Sequence, residues 1–72
     1  MTVLELRKEL KVSQSTFAKI IGIGHNRLHR HENNITLLSN YEIEHIGKES
    51  MKYMLKEIGR YNRIIERMEE NV

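Results

Sequence analysis

Seventy-two residues, 39% hydrophobic and 31% charged, hold one small domain and leave no room for a second core. Cysteine is absent, which excludes disulfides and thiolate metal sites, and a chain with no proline and four glycines suits helices better than a sandwich or barrel. The net charge is +2 and the apolar runs are far short of a bilayer span, so the expectation is a cytoplasmic all-α protein with no membrane partner.

Thr2-Val3-Leu4-Glu5 has the form of a capping box, and Val3, Leu6 and Leu10 recur at helical spacing, which predicts a first helix over Val3–Leu10. Ser13 is the next N-cap residue. Phe17, Ala18 and Ile21 form the inner stripe of a second helix, and Gly22 ends it where a left-handed backbone is required. Gly24 to Glu32 forms a third short helix with Leu28 directed inward, and Asn33-Asn34 supplies the exit. Ser39 or Asn40 caps a brief fourth helix through Tyr41, Ile43 and Ile46, with Gly47 as its expected stop. The domain plan is therefore a unit over residues 1–47 and a separate amphipathic helix over 48–72.

In that last segment Met51, Met54, Ile58, Tyr61, Ile65, Met68 and Val72 alternate in steps of three and four, a heptad seam widened by Leu55 and Ile64. Around Met51, Met54 and Leu55 the seam is expected to cover the N-terminal unit. Beyond Ile58 it is expected to meet a second copy, so Met54, Ile58, Tyr61, Ile65 and Met68 are the predicted dimerisation residues. Charge divides in the same way. Residues 1–34 carry Arg7, Lys8, Lys11, Lys19, Arg27 and Arg30 against Glu5, Glu9 and Glu32, a net +3, whereas residues 35–72 hold six basic and seven acidic groups. The positive field thus lies with the three short helices.

From Gln14 to Asn33 the chain places Gln14, Ala18, Gly22-Ile23, Leu28 and Glu32-Asn33 at fixed offsets. Ala18 is small where two helices cross, Gly22 makes the turn, and Ile23 with Leu28 fills the corner, the pattern of a helix-turn-helix. With Leu6-Arg7, Leu10 and Val12-Ser13 at the matching spacing, the sequence resembles the Cro/CI-type, or Xre-like, helix-turn-helix regulators over about Leu4 to Asn33. The resemblance implies a lambda-repressor-like four-helix DNA-binding unit, followed here by a long dimerisation helix. It implies that Gln14 braces the recognition helix and touches a phosphate, that Arg7 and Glu32 form a partly buried ion pair, and that His25, Asn26, Arg27, His29 and Arg30 face DNA. Ser15 and Gly24 complete the predicted contact set. Asn pairs bidentately with adenine and Arg with guanine, so Asn26 with Arg27 or Arg30 is the expected base-reading set.

Three positions depart from the family pattern. Gly24 stands where Ser or Thr is usual, Lys11 where Gly is usual, and His31 where an apolar residue enters the core. A solvated helix face is the plain alternative for the charged residues of the third helix. His25 and His29 lie one turn apart without a third ligand, and no nucleophile has a base beside it, so no metal, cofactor or enzymatic activity is expected. The implied function is a homodimeric regulator, a repressor occupying an inverted-repeat operator on double-stranded DNA. The rival functions are a protein-interaction module, such as an antitoxin or inhibitor acting through its last helix, and an architectural DNA binder of excisionase type.

Overall fold

The computed structural model describes residues 1–70; Asn71 and Val72, the last seam position, lie outside the described residues. The architecture is all-helical: α1 (Val3–Leu10), α2 (Gln14–Ile21), α3 (His25–Glu32) and α4 (Asn40–Glu70). Each short helix starts and stops where local chemistry provides partners for its end groups. At α1 the Thr2 hydroxyl accepts from the Glu5 N–H at 3.1 Å and itself donates to the Glu5 carboxylate. At α2 Ser13 Oγ accepts from the Thr16 N–H at 3.1 Å. α3 starts on Gly24, which offers no side-chain cap.

Two of the exits are left-handed. Gly22, with φ of +67°, lets α2 turn into α3 through only three residues, 22–24. Lys11 takes φ of +57° at the end of α1, a conformation that strains a residue with a Cβ. The connection from α3 to α4 turns through Asn34 (φ +61°), and the His31 Nδ1–H donates to the Thr36 carbonyl at 2.9 Å. His31 is therefore half-buried and helical, and it pins the loop beneath it instead of filling the core.

Phe17, Ile21, Leu28 and Ile46 are fully enclosed, with Val3, Ala18 and Leu38 around them and Leu6, Leu10, Val12, Ile20 and Ile23 closing the edges. Each large side chain so enclosed contributes about 1.5–3 kcal/mol relative to exposure. α2 sits at the centre of this packing, against α3 on one side and α4 on the other.

Two expectations are corrected by α4. It runs unbroken for 31 residues, through Gly47 and Gly59, so there is no fifth element and the boundary at 47/48 falls inside a continuous helix. One helical glycine costs about 1 kcal/mol. Burial of Ile46 beside Gly47 outweighs that cost and holds the backbone helical across the site, and Gly47 has no left-handed φ with which to stop it. Second, Met51 and Leu55 do not cover the N-terminal unit, being 60% and 62% exposed. The face turned toward α1 and α2 is instead the row His45-Ile46, Glu49-Ser50, Tyr53 and Glu57, all buried or half-buried. The heptad seam lies to one side of that row and stays open as α4 projects beyond the unit, giving a molecule 53 Å long and 20 Å across.

Candidate functional site

The outer surface of α3 follows from the position of Leu28. At 100° per residue, Asn26 and Arg30 lie almost opposite Leu28, with His29 and Asn33 beside them and Arg27 and His31 on the flank toward α4. Asn26 and Arg30 are exposed, and their side chains make no hydrogen bond or ion pair among the described residues. His25 is exposed at the first position of α3, and Ser15 at the first turn of α2. Gly24 presents bare backbone just before α3, and a Cβ added there would meet nothing within 4 Å.

Behind this surface, a network connects α1, α2 and α3. Arg7 donates from Nε to Glu32 Oε2 at 2.7 Å and from Nη2 to Oε1 at 2.8 Å, and its Nη1 donates to the Val12 carbonyl at 3.1 Å. Gln14 Nε2 donates to the same Glu32 carboxylate at 2.7 Å. The Arg7 and Glu32 side chains are 16% and 4% exposed. Burial raises the Glu32 pKa, but the hydrogen bonds from Arg7 and Gln14, with the nearby positive charge, outweigh it and hold the carboxyl below its usual range.

From Gln14 the network continues outward. The His29 Nδ1–H donates to Gln14 Oε1 at 3.3 Å, and Asn33 Nδ2 lies 3.3 Å from His29 Nε2 and donates to the His29 carbonyl at 2.8 Å. The Gln14 oxygen can only accept, so His29 Nδ1 carries a proton. Arg7, Glu32, Gln14, His29 and Asn33 thus form one chain of polar contacts from the inside of α1 to the outer face of α3. Gln14 and His29 belong to that chain, so the structure places them as braces.

Arg27 is also committed. Its Nε donates to Glu42 Oε2 at 2.9 Å and its Nη2 to Oε1 at 2.6 Å, which ties the flank of α3 to the first turn of α4. Glu42 closes a capping box as well: Ser39 N–H donates to its carboxylate and Ser39 Oγ accepts from its N–H, both at 3.1 Å. The Arg27 guanidinium, followed by the Ser39 backbone, lowers the Glu42 carboxyl to about 2.

Glu42 and His45 were not among the predicted site residues. The Ser39-x-x-Glu42 spacing is the available signal for the first. His45 donates from Nε2 to the Ile21 carbonyl at 3.0 Å, capping the end of α2 just before the turn, and no local pattern announces that role. The predicted dimerisation residues form one exposed line along α4, with Met54 38% exposed and Ile58, Tyr61, Ile65 and Met68 all above half. Leu10 joins Met54, Ile58 and Tyr61 in an open groove of about 360 Å³ where that line begins.

Among the described residues no group of three or more His, Cys, Asp or Glu is placed to hold a metal ion, and no helix is long and apolar enough to cross a membrane. No family model, curated protein or solved structure matches this chain.

Proposed function

We propose that the chain is a sequence-specific binder of double-stranded DNA, a homodimeric helix-turn-helix regulator of Cro/CI type that represses by occupying its operator. In this reading the α1–α4 core is a lambda-repressor-like unit and α3 enters the major groove. The observation that carries it is the pairing of an uncommitted Asn26–Arg30 face with a braced back. The polar side chains that reading bases requires are left without partners, while the helix bearing them is held at one flank by Arg7 and Gln14 on its Glu32 and at the other by Glu42 on its Arg27. A solvated helix face has no need of such bracing. Ser15 and the first turn of α2 would meet phosphate, as helix N-termini do, and Gln14 would act on DNA mainly by holding α3 in place.

Arg27 has a conditional role. It reads a base only by leaving Glu42, so Asn26 and Arg30 are the primary readers. A selection from random duplexes should return an inverted repeat, and Asn26→Ala should relax preference at one position per half-site by about 1–3 kcal/mol. Recovery of no consensus, with equal binding to all duplexes, would replace this reading with an architectural DNA binder.

The exposed seam of α4 supports the homodimer and equally invites a second reading, capture of a different protein by an antitoxin or inhibitor. Sedimentation at micromolar concentration separates them. A dimer supports the regulator, and a stable monomer supports the rival.

A further inference from the structure

We infer that α4 pairs with a second copy of itself in antiparallel orientation, centred near Arg63, so that the two DNA-reading units stand at opposite ends of a rod. The inference rests on the homodimer reading above and adds its geometry. Three features of the described seam favour it.

The first is side-chain size. An antiparallel seam centred at residue 63 sets Ile58 against Met68 and Tyr61 against Ile65 of the other copy, so each layer combines a branched side chain with a longer one. A parallel seam sets like against like, with Tyr61 on Tyr61 and Met68 on Met68, and the layers alternate between wide and narrow. The second is the edge of the seam. Ile64, 45% exposed, meets its own copy along the same edge when the helices are antiparallel, whereas parallel pairing places it against Glu69.

The third is charge. Residues 52–63 carry Lys52, Lys56, Arg60 and Arg63 against Glu57, a net +3, while residues 64–70 carry Glu66, Glu69 and Glu70 against Arg67, a net −2. Antiparallel pairing lays the basic segment on the acidic one. It brings Lys56 to the level of Glu70 and Arg60 to the level of Glu66 of the other copy. Parallel pairing stacks each segment on its own sign, which costs free energy on both halves.

The geometry also suits DNA. Glu42, where α3 is tied to α4, lies 21 positions from the centre, so at 1.5 Å per residue the two attachment points stand about 63 Å apart along the rod. Two turns of B-DNA span about 68 Å. Half-sites about 20 bp apart follow, in place of adjacent turns.

The chain has no cysteine, so one introduced thiol reports cleanly. Lys48 is exposed and apart from both the seam and α3. With Lys48→Cys carrying a nitroxide label, pulsed dipolar spectroscopy should give a distance near 45 Å, twice 15 residues at 1.5 Å. A distance below about 25 Å would overturn the antiparallel orientation and keep the dimer, since parallel helices lie only about 10 Å apart. Absence of dipolar coupling at high protein concentration, together with a monomer mass, would overturn the homodimer reading itself.

Discussion

Arg7→Ala removes three hydrogen bonds at once, two to Glu32 at 2.7 and 2.8 Å and one to the Val12 carbonyl at 3.1 Å. The Glu32 carboxylate, 4% exposed, is then left with Gln14 as its only side-chain partner. Breaking one side of such a buried pair costs about 3–5 kcal/mol, because the remaining charge has lost both water and counter-ion. Folding stabilities run at about 0.05–0.15 kcal/mol per residue, so this chain holds of order 4–11 kcal/mol, and the substitution removes a large share. At about 4–8 °C per kcal/mol for a domain of this size, the midpoint should fall by about 12–40 °C. The assay is urea and thermal unfolding followed by helical ellipticity, at one fixed protein concentration because a dimer's midpoint depends on it. Replacing both partners, as Arg7→Met with Glu32→Leu, should recover much of the loss, since the pair's own formation already carried a desolvation cost. A single Arg7→Ala loss below about 0.5 kcal/mol would refute the claim that this pair holds α1 to α3.

Ser50 Oγ is buried with no hydrogen-bond partner among the described residues, so Ser50→Ala should stabilise by about 1 kcal/mol through loss of an unsatisfied hydroxyl and a better helix former; a lower midpoint would show that the hydroxyl is bonded. Lys11→Gly relieves the left-handed residue at the end of α1 and should gain about 0.5–1 kcal/mol in urea unfolding, whereas a loss would mean that the Lys11 side chain packs usefully. Glu42 and Glu32 both have folded pKa values below the ordinary carboxylate value near 4.3. Their contribution is complete above about pH 5 and is lost as pH falls toward 2, so the part of the midpoint set by these two carboxylates should decline below pH 5. Glu42→Gln should flatten that decline, and an unchanged acid slope would count against the Arg27 pair.

Local signals gave the short helices accurately because each boundary is written in residues a few positions apart: Thr2 with Glu5, Ser13 with Thr16, and Gly22 at its left-handed φ. The Arg7–Glu32 pair was implied by family resemblance, and the structure forms it. Gly47 misled because one helical glycine costs less than burial of the neighbouring Ile46 returns. The row facing the core was misassigned to Met51 and Leu55 because apolar spacing identifies a stripe but not its neighbour. The inward row is made of Ser50, Tyr53, Glu49 and Glu57, which no hydropathy pattern selects. The commitment of Arg27 to Glu42 spans 15 positions, and that of His45 to the Ile21 carbonyl spans 24. Contacts of that range follow from the packing of α2 and α3 on α4, so they become visible only once the helices are assembled.

The most direct test of the central claim is the salt dependence of binding to a fluorescent duplex bearing the selected repeat, measured by anisotropy for the parent chain and for Asn26→Ala and Arg30→Ala. The account predicts a straight, steep fall of log affinity with log salt, from release of counter-ions at phosphates. It further predicts that both variants keep their fold while losing preference for the repeat over scrambled DNA. Affinity that stays flat with salt, or two folded variants that still prefer the repeat as strongly as the parent, would contradict it.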